Sequence, residues 1–316
     1  MAWRSDRAWA LVGLLAVALS GWLLYRELEG MSLDSLLGSL RAIPAGDWAL
    51  CVAATLLAYA ALAGYDRIAL NHLGRRIGWG YISVVSFTTY AVGHNVGASV
   101  FSGALVRYRA YRHKGLTPVE IGLLVAFCSF TFVVGTLLLA AAVLLIEPEL
   151  VQRFLPSVGV GLARGIGVLL LLAVGLYALG SLLKFSTLRL RGMELGYPRL
   201  PTVLQQLVIG PLEIIGAAAI LYFALPEAGN PGYLVVLGVF LASFSLALVS
   251  HAPGGLGVLE VSVLLGLPEM DKADVLVAVL VFRLLYLLIP LALSMPVILW
   301  FERARWQDGL AGPPPP

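Results

Sequence analysis

Charged residues are scarce in this chain of 316 residues, since Asp, Glu, Lys and Arg together make up only 12%. Hydrophobic residues make up 60%, and the mean hydropathy is +0.92, far outside the range of soluble globular domains. The hydrophilic stretches between the apolar runs are short, which leaves no room for a separate catalytic domain among them. The composition therefore predicts a single domain, an all-α polytopic membrane protein.

Cysteine and metal-ligating residues are also scarce. Cys51 and Cys128, the two cysteines, fall inside predicted spans, which excludes a disulfide framework and predicts small buried thiols. His94 and His251 have no Cys or carboxylate companion at ligand spacing and make a poor zinc site. The glycines near 93–103 follow no strand and form no phosphate-binding loop. We therefore expect no metal, no cofactor and no nucleotide, so that any transport is passive or coupled to a gradient.

Apolar runs of about 20 residues predict the membrane spans, because a spanning helix needs that length. Six runs are predicted to cross fully, namely 8–25, 47–70, 118–146, 164–183, 202–224 and 274–301. The first follows Arg4 and Arg7, but its apolar core is longer than that of a typical signal peptide, and we interpret it as a retained helix. Two further apolar stretches, 81–106 and 233–268, are broken by glycine, proline and histidine.

The positions of Lys and Arg distinguish two ways of threading the broken stretches. If both return to the side from which they came, as re-entrant helical hairpins, 14 basic residues lie on the cytoplasmic side and five outside. If both cross completely, the count becomes eight inside against eleven outside, which violates the preference of basic loops for the cytoplasm. Glycine permits the tight turns that such hairpins require. We predict two re-entrant hairpins and cytoplasmic termini, with breaks at Gly93, Gly97, Gly103, Pro253, Gly254, Gly255 and Gly257.

The order of these elements predicts an inverted repeat. A span, a hairpin and a span in 47–146 are followed by the same three elements, oppositely oriented, in 202–301, as in many transporters. The remaining parts are an N-terminal helix with an outer loop in 1–46, a connecting span with a basic cytoplasmic loop in 147–201, and a cytoplasmic tail in 302–316. Sequence identity between the halves is slight, so this prediction rests on topology.

Ionisable residues inside predicted spans are costly and mark candidate sites. Glu120 lies near the start of its span, Glu213 and Arg283 lie well inside theirs, and Glu260 follows the second broken stretch. A buried substrate-binding cluster and a structural ion pair are both compatible with Glu213, Glu260 and Arg283.

Basic residues also follow the first broken stretch, in the segment VRYRAYRHK. This run is a positive-inside topology signal, and Arg107 and Arg109 are in addition candidates for phosphate recognition, because guanidinium groups bind phosphate bidentately. Tyr108 supplies an amphipathic surface at headgroup depth. Asp66 and Arg67 stand near a helix end, and we expect them to snorkel to the interface rather than to belong to a site.

Three segments carry a family resemblance: SFTTYAVGHNVGASVFSGALVRYRAYRHKGLTPVEIG, HAPGGLGVLE and FRLLYLLIP. They resemble the membrane (flippase) region of the lysylphosphatidylglycerol synthase/flippase family, in its stand-alone integral membrane branch, and the match runs roughly over 47–301. Its most specific elements are the small residues before VRYR, together with Pro253, Gly254, Gly255, Gly257, Glu260, Arg283, Tyr286 and Pro290. The resemblance implies a lipid-translocating fold with two re-entrant hairpins.

This chain departs from the bifunctional members of the family in one respect. The bifunctional members carry a large soluble aminoacyl-transferase domain after the membrane region, whereas this chain stops about 15 residues beyond its last predicted span. We therefore expect no synthesis of aminoacyl lipid, and the lipid handled by the bifunctional members does not carry over directly.

The leading functional hypothesis is a flippase of the cell (inner) membrane. It moves a phosphate-bearing lipid, either an anionic phospholipid or a polyprenyl-phosphate lipid, by alternating access and without covalent chemistry. The predicted substrate-binding residues are His94, Asn95, Ser102, Arg107, Tyr108, Arg109, Glu120, Glu213, His251, Glu260, Arg283 and Tyr286. For His94, Asn95 and His251 the alternative stays open that they only satisfy polar groups at the apices of the hairpins.

Other functions remain open at this point. An intramembrane lipid-headgroup transferase with Glu260 or Glu213 as base is weaker, because no metal motif or nucleophile accompanies these carboxylates. A non-transporting partner of a lipid-modifying enzyme and a carrier of small solutes are also compatible with the sequence. We expect membrane lipids as partners and no nucleic acid, and the sequence leaves open a homo-oligomer and a separate lipid-modifying enzyme.

Overall fold

The computed structural model describes residues 33–96, 99–185, 188–190, 193–250 and 252–310. These ranges are helical apart from their connections and one short ribbon, which confirms the all-α prediction. The helices are α1 Leu33–Ala42, α2 Ala45–His72, α3 Trp79–Val96, α4 Ser99–Arg112, α5 Pro118–Ile146, α6 Val160–Leu182, α7 Leu200–Ala224, α8 Tyr233–Ser250, α9 Val258–Gly266, α10 Lys272–Phe282 and α11 Ile289–Leu310. Short 3₁₀ turns cover Pro148–Arg153 and Pro253–Gly255.

Six of the described helical segments are long and apolar enough to cross a membrane. They are α2, α5, α6, α7, α8 and the stretch Lys272–Leu299. Five of them match predicted spans, and the predicted span 8–25 lies outside the described residues. The sixth, α8, is the first arm of the stretch 233–268. The return of the broken stretches to the side from which they came remains a prediction, and so does the cytoplasmic position of the termini.

Two helix pairs are interrupted where the sequence is rich in glycine. The first pair is α3 and α4, which are separated by residues 97 and 98, outside the described part. The second pair is α8 and α9, between which Gly254, Gly255 and Gly257 have φ values of 59°, 64° and 78°. Backbone in this left-handed region favours glycine, because a Cβ atom would be strained there.

Helix α7 lies at the centre of the packing, against α2 on one side and α5 on the other. Small residues allow this close approach. A Cβ atom at Gly216 would lie 3.0 Å from the carbonyl oxygen of Ala54, and one at Gly135 would meet the backbone of Gly210. Close contact between small residues is the usual means of helix association in lipid, where apolar side chains have no hydrophobic reason to leave the bilayer.

The two halves of the chain share one packing pattern. In each half the first span packs against the first arm of the interrupted pair, the two arms pack together, the second arm packs against the second span, and the two spans touch. These elements are α2, α3, α4 and α5 in the first half, and α7, α8, α9 and α10 in the second. This pattern is compatible with the predicted repeat, and the inversion of the second half remains a prediction.

The structure differs from the sequence predictions in two places. The last span, predicted as one run over 274–301, contains a π-helical segment at Arg283–Leu288, and α11 continues to Leu310 into the predicted tail. The basic loop before α7 holds an antiparallel ribbon of β1 Leu188–Leu190 and β2 Met193–Leu195. A π-helical turn has no clear sequence signal, and such turns are frequent at functional sites.

We expect Gly135→Ala to lower the melting temperature of the purified protein by several degrees. The new methyl group would press on the backbone of Gly210, which cannot move aside as a flexible side chain could, and overpacking typically costs about 1–3 kcal/mol. Gly122→Ala in the same helix is the matched control, since no atom lies within 4 Å of its added Cβ. Equal melting temperatures for the two variants would contradict the described helix contact.

Candidate functional site

A cavity of about 380 Å³ lies between the two interrupted helix pairs. Its wall is formed by the spans α2, α5 and α7, by both helix pairs and by the last span. The two interruptions meet beside it, because a Cβ atom at Gly254 would lie 4.0 Å from the backbone oxygen of His94. The wall is mostly apolar, and its charged or titratable members include His94, Arg107 and Glu213. Its volume lies within the range of small-molecule sites.

Arg107 is the cavity's buried cation, and its partner is Asp66. The guanidinium donates from Nη2 to Asp66 Oδ1 at 2.6 Å and from Nε to Oδ2 at 3.3 Å. Asp66 is fully buried and also accepts from the hydroxyl of Tyr111 at 2.8 Å. The ring of Tyr90 lies under the guanidinium, 4.9 Å from its carbon to the ring centroid. The carboxylate of Asp66 and the ring of Tyr90 thus fix the position of Arg107 at the cavity wall.

The expectation that Asp66 snorkels to an interface is therefore wrong. Asp66 lies on the face of α2 that also carries Tyr59 and Leu62, seven and four residues earlier, and this face is buried. Arg67, one position further round the helix, is half-buried and donates to the carbonyl oxygen of Ile77 at 2.8 Å. Helical spacing from the buried aromatic residues was the signal that could have identified Asp66.

Arg283 and Glu260 form the second buried ion pair, and they hold the interruption between α8 and α9. The Arg283 guanidinium donates from Nε to Glu260, from Nη1 to the Gly254 oxygen at 2.8 Å and from Nη2 to the Gly255 oxygen at 3.2 Å. Glu260 in turn accepts from the backbone N–H of Gly257 at 2.8 Å. In this conformation Arg283 therefore serves the backbone of the turn, and it is not among the residues that line the cavity.

Glu213 and His94 line the cavity, and Tyr286 contacts both of them, so that the three residues form a third polar group. The Tyr286 hydroxyl donates to Glu213 Oε1, and the Tyr286 ring stacks on His94 at 5.2 Å between centroids with an interplanar angle of 20°. On its other face Tyr286 stacks on Phe282, and its backbone oxygen accepts from Tyr59. Glu213 Oε2 and His94 Nδ1 are buried without a hydrogen-bond partner in the described part of the chain.

Of the other predicted site residues, those whose side chains are described do not line the cavity. Asn95 donates to the oxygens of Ala91 and Leu287 and so ties α3 to the last span. Glu120 caps α5 through Thr117 and pairs with Arg75 at 2.7 Å, a structural role at an exposed helix end. Tyr108 is exposed, and Arg109 is half-buried. The side chains of Ser102 and His251 lie outside the described part.

The predicted break residues take different positions. Gly93 lies within α3 and lines the cavity, so it does not break the helix. Gly103 lies within α4, where an added Cβ would be 3.1 Å from Thr89 Cγ2, so its small size allows the two arms to pack closely. Gly97 and the side chain of Pro253 lie outside the described part. Cys51 and Cys128 are buried and free, as predicted.

The described residues form a helical membrane protein in which two interrupted helix pairs lie beside a cavity, and interrupted helices also occur in many transporters. The family is established by sequence comparison: the model of the lysylphosphatidylglycerol synthase TM region matches residues 11–294. The chain therefore belongs to this family and is a multi-pass membrane protein, as the resemblance indicated. Membership is consistent with a role related to membrane lipids.

Individual relatives cover most of the chain. It is 31% identical over 292 residues to Uncharacterized protein slr0712 of Synechocystis sp., covering 89% of this chain and 88% of the relative. It is 29% identical over 256 residues to Inner membrane protein YbhN of Escherichia coli, covering 79% of each. Phosphatidylglycerol lysyltransferase of Staphylococcus haemolyticus is 31% identical over only 91 residues, which are 28% of this chain and 11% of that protein.

We expect Arg107→Gln to destabilise the protein strongly, because it leaves the Asp66 carboxylate buried without its cation. Breaking a buried pair typically costs about 3–5 kcal/mol, whereas neutralising both partners is far less costly. Thermal unfolding should therefore show a large loss for Arg107→Gln and substantial recovery in Asp66→Asn/Arg107→Gln. Arg75→Gln is the control, because its pair with Glu120 is exposed and typically contributes about 1 kcal/mol or less. Additive effects of the two substitutions would contradict the pairing.

Proposed function

We propose that this protein is a lipid flippase of the cell (inner) membrane, which moves a phosphate-bearing lipid between leaflets by alternating access. The observation that carries the proposal is the cavity between the two interrupted helix pairs, with Arg107 in its wall. A buried guanidinium in the wall of a mostly apolar cavity is suited to a phosphate, which it can bind bidentately.

The size of the cavity favours a headgroup over a complete lipid. Sites of about 300–1,000 Å³ enclose drug-sized ligands, and 380 Å³ lies near the lower end of this range. Val133 of α5 and Leu248 of α8 line the cavity, and both apolar side chains are exposed. Apolar side chains in the wall support a mode of binding in which the acyl or isoprenoid chains stay in the bilayer while the headgroup occupies the cavity.

The Asp66 carboxylate supplies a means of release. When no lipid is bound, Asp66 neutralises Arg107, so the guanidinium does not remain as an unpaired charge in an apolar environment. An incoming phosphate competes with Asp66 for the same N–H donors, and the carboxylate reclaims them when the lipid leaves. Because the headgroup is exchanged and not modified, the mechanism uses no covalent chemistry, and we propose transport in preference to enzymatic activity.

Filling the cavity should stop lipid movement without removing a charge. We expect Ser129→Trp to reduce the scrambling rate of fluorescent anionic phospholipids in proteoliposomes at least tenfold, because Ser129 lines the cavity. Ala126→Trp is the matched control: it makes the same large substitution less than one turn earlier in α5, at an exposed position. Equal rates for the two folded variants, or rates equal to those of empty vesicles for the wild type, would contradict the proposal.

The charge of Arg107 should determine which lipids move. In the folded double variant Asp66→Asn/Arg107→Gln, we expect movement of anionic phospholipids to fall more than that of zwitterionic ones, since the bidentate phosphate ligand is lost. Mass spectrometry of the same vesicles tests the alternative of a headgroup transferase. Unchanged lipid masses accompany transport, whereas a new lipid mass that requires this protein would replace the flippase proposal with an enzyme.

A further inference from the structure

Two buried polar atoms of cavity-lining residues have no hydrogen-bond partner within the described residues, and the lipid mechanism described above uses neither of them. They are Oε2 of Glu213, on α7, and Nδ1 of His94, on α3. Glu213 is only 2% exposed, and its second oxygen, Oε1, already accepts from Tyr286. An ionised carboxylate with one unpartnered oxygen is costly in an apolar interior, and that cost falls when the group binds a proton.

The two atoms are chemically complementary, because protonation of Glu213 makes one of them a donor while the other remains an acceptor. A protonated Glu213 carries an O–H donor at Oε2, and a neutral imidazole with its hydrogen on Nε2 offers Nδ1 as an acceptor. Tyr286 positions both groups, because it donates to Glu213 and its ring stacks on His94. One proton supplied from the cavity can therefore satisfy either atom, directly or through water.

We propose that Glu213 and His94 form a proton-binding site in the cavity wall, which couples the movement of the lipid headgroup to proton movement across the membrane. The coupling part rests on the proposed lipid transport, whereas the binding site does not. A proton enters from water on the side to which the cavity is open, converts the Glu213 carboxylate to a carboxylic acid, and returns to water on the opposite side after the cavity has switched.

A metal cation fits this site less well than a proton. A hard cation such as Na⁺ or Ca²⁺ requires several oxygen ligands, whereas the pair offers one free oxygen and one nitrogen. Within the described residues, no group of three or more His, Cys, Asp or Glu side chains is placed to hold a metal ion.

The titratable neighbours of Glu213 are mostly neutral groups. Tyr286 donates to it, Tyr59 and Tyr65 of α2 lie close to it, and Cys128 of α5 shares the cavity wall. None of these side chains brings a permanent charge. The state of Glu213 therefore responds mainly to the proton concentration in the cavity and to the charge of a bound headgroup.

The neighbours of His94 are the rings of Tyr90, Tyr286 and Phe244. The charged groups near the site occur as pairs, namely Asp66 with Arg107 across the cavity and Glu260 with Arg283 behind Gly254. Each pair is neutral as a whole. When a phosphate displaces Asp66 from Arg107, the cavity gains negative charge, and uptake of a proton by Glu213 or His94 compensates for it.

Infrared difference spectroscopy of the purified full-length protein in lipid nanodiscs, titrated with pH, tests the binding site without any transport. We expect a protonated-carboxyl band that titrates in the wild type and is lost in Glu213→Gln. Glu120→Gln is the control, since its carboxylate is an exposed helix cap and its substitution should leave the band in place. His94→Gln and Tyr286→Phe, which keep Glu213, should shift the midpoint of the band. A titrating band that survives Glu213→Gln would overturn the proposal.

Transport measured under an imposed pH difference tests the coupling. We expect the rate of movement of anionic phospholipids by the wild type to change several-fold with the gradient, and this response to be lost in Glu213→Gln. A rate of lipid movement that does not depend on the pH difference, or that depends on a sodium gradient instead, would overturn the coupling while leaving the flippase proposal in place. A titrating Glu213 band in a protein that moves no lipid would overturn the flippase proposal and leave the proton-binding site in place.

Discussion

The Arg283 guanidinium satisfies the backbone at the point where the second helix pair is broken. The left-handed glycines turn the carbonyl groups of the segment away from a helical ladder, and unsatisfied peptide groups in an apolar environment are costly. Arg283 binds two of these carbonyls, and Glu260 neutralises its charge while accepting the N–H of Gly257. The turn can therefore remain open beside a cavity, and the wall formed by Gly254 and Gly255 depends on this arrangement.

The first half of the chain also has a buried ion pair between an arm of the interrupted helix pair and a span, with the charges exchanged. There the second arm of the interrupted pair carries the cation, Arg107, and the span carries the acid, Asp66. In the second half the arm carries Glu260, and the span carries Arg283. Buried ion pairs contribute little net stability but strongly disfavour arrangements that separate them. Each pair thus fixes an arm of broken helix against a continuous span, which gives the cavity a defined wall on both sides.

The cavity exists because close packing is concentrated elsewhere. Glycine contacts bring α7 against α2 and α5, whereas α5 and α8 pack less closely, and both of these helices line the cavity. A tightly packed centre beside a loosely packed seam suits a protein whose two halves move relative to each other. Glu213, on the central helix, and His94, near the end of a broken one, both line this cavity, where the proposed proton site would link the two halves.

The sequence by itself determined the class of protein, the existence of the spans, the two interrupted stretches and the family, because long apolar runs, glycine clusters and basic loops act locally. It also indicated Glu213, Glu260, Arg283 and Arg107 as residues of interest, since a charge in an apolar run is conspicuous. Only the tertiary structure decided their roles. Asp66 is a buried partner of Arg107, Glu120 is a helix cap, and Arg283 binds a turn 29 residues away. Partners distant in the chain are chosen by packing, which no local pattern in the sequence encodes.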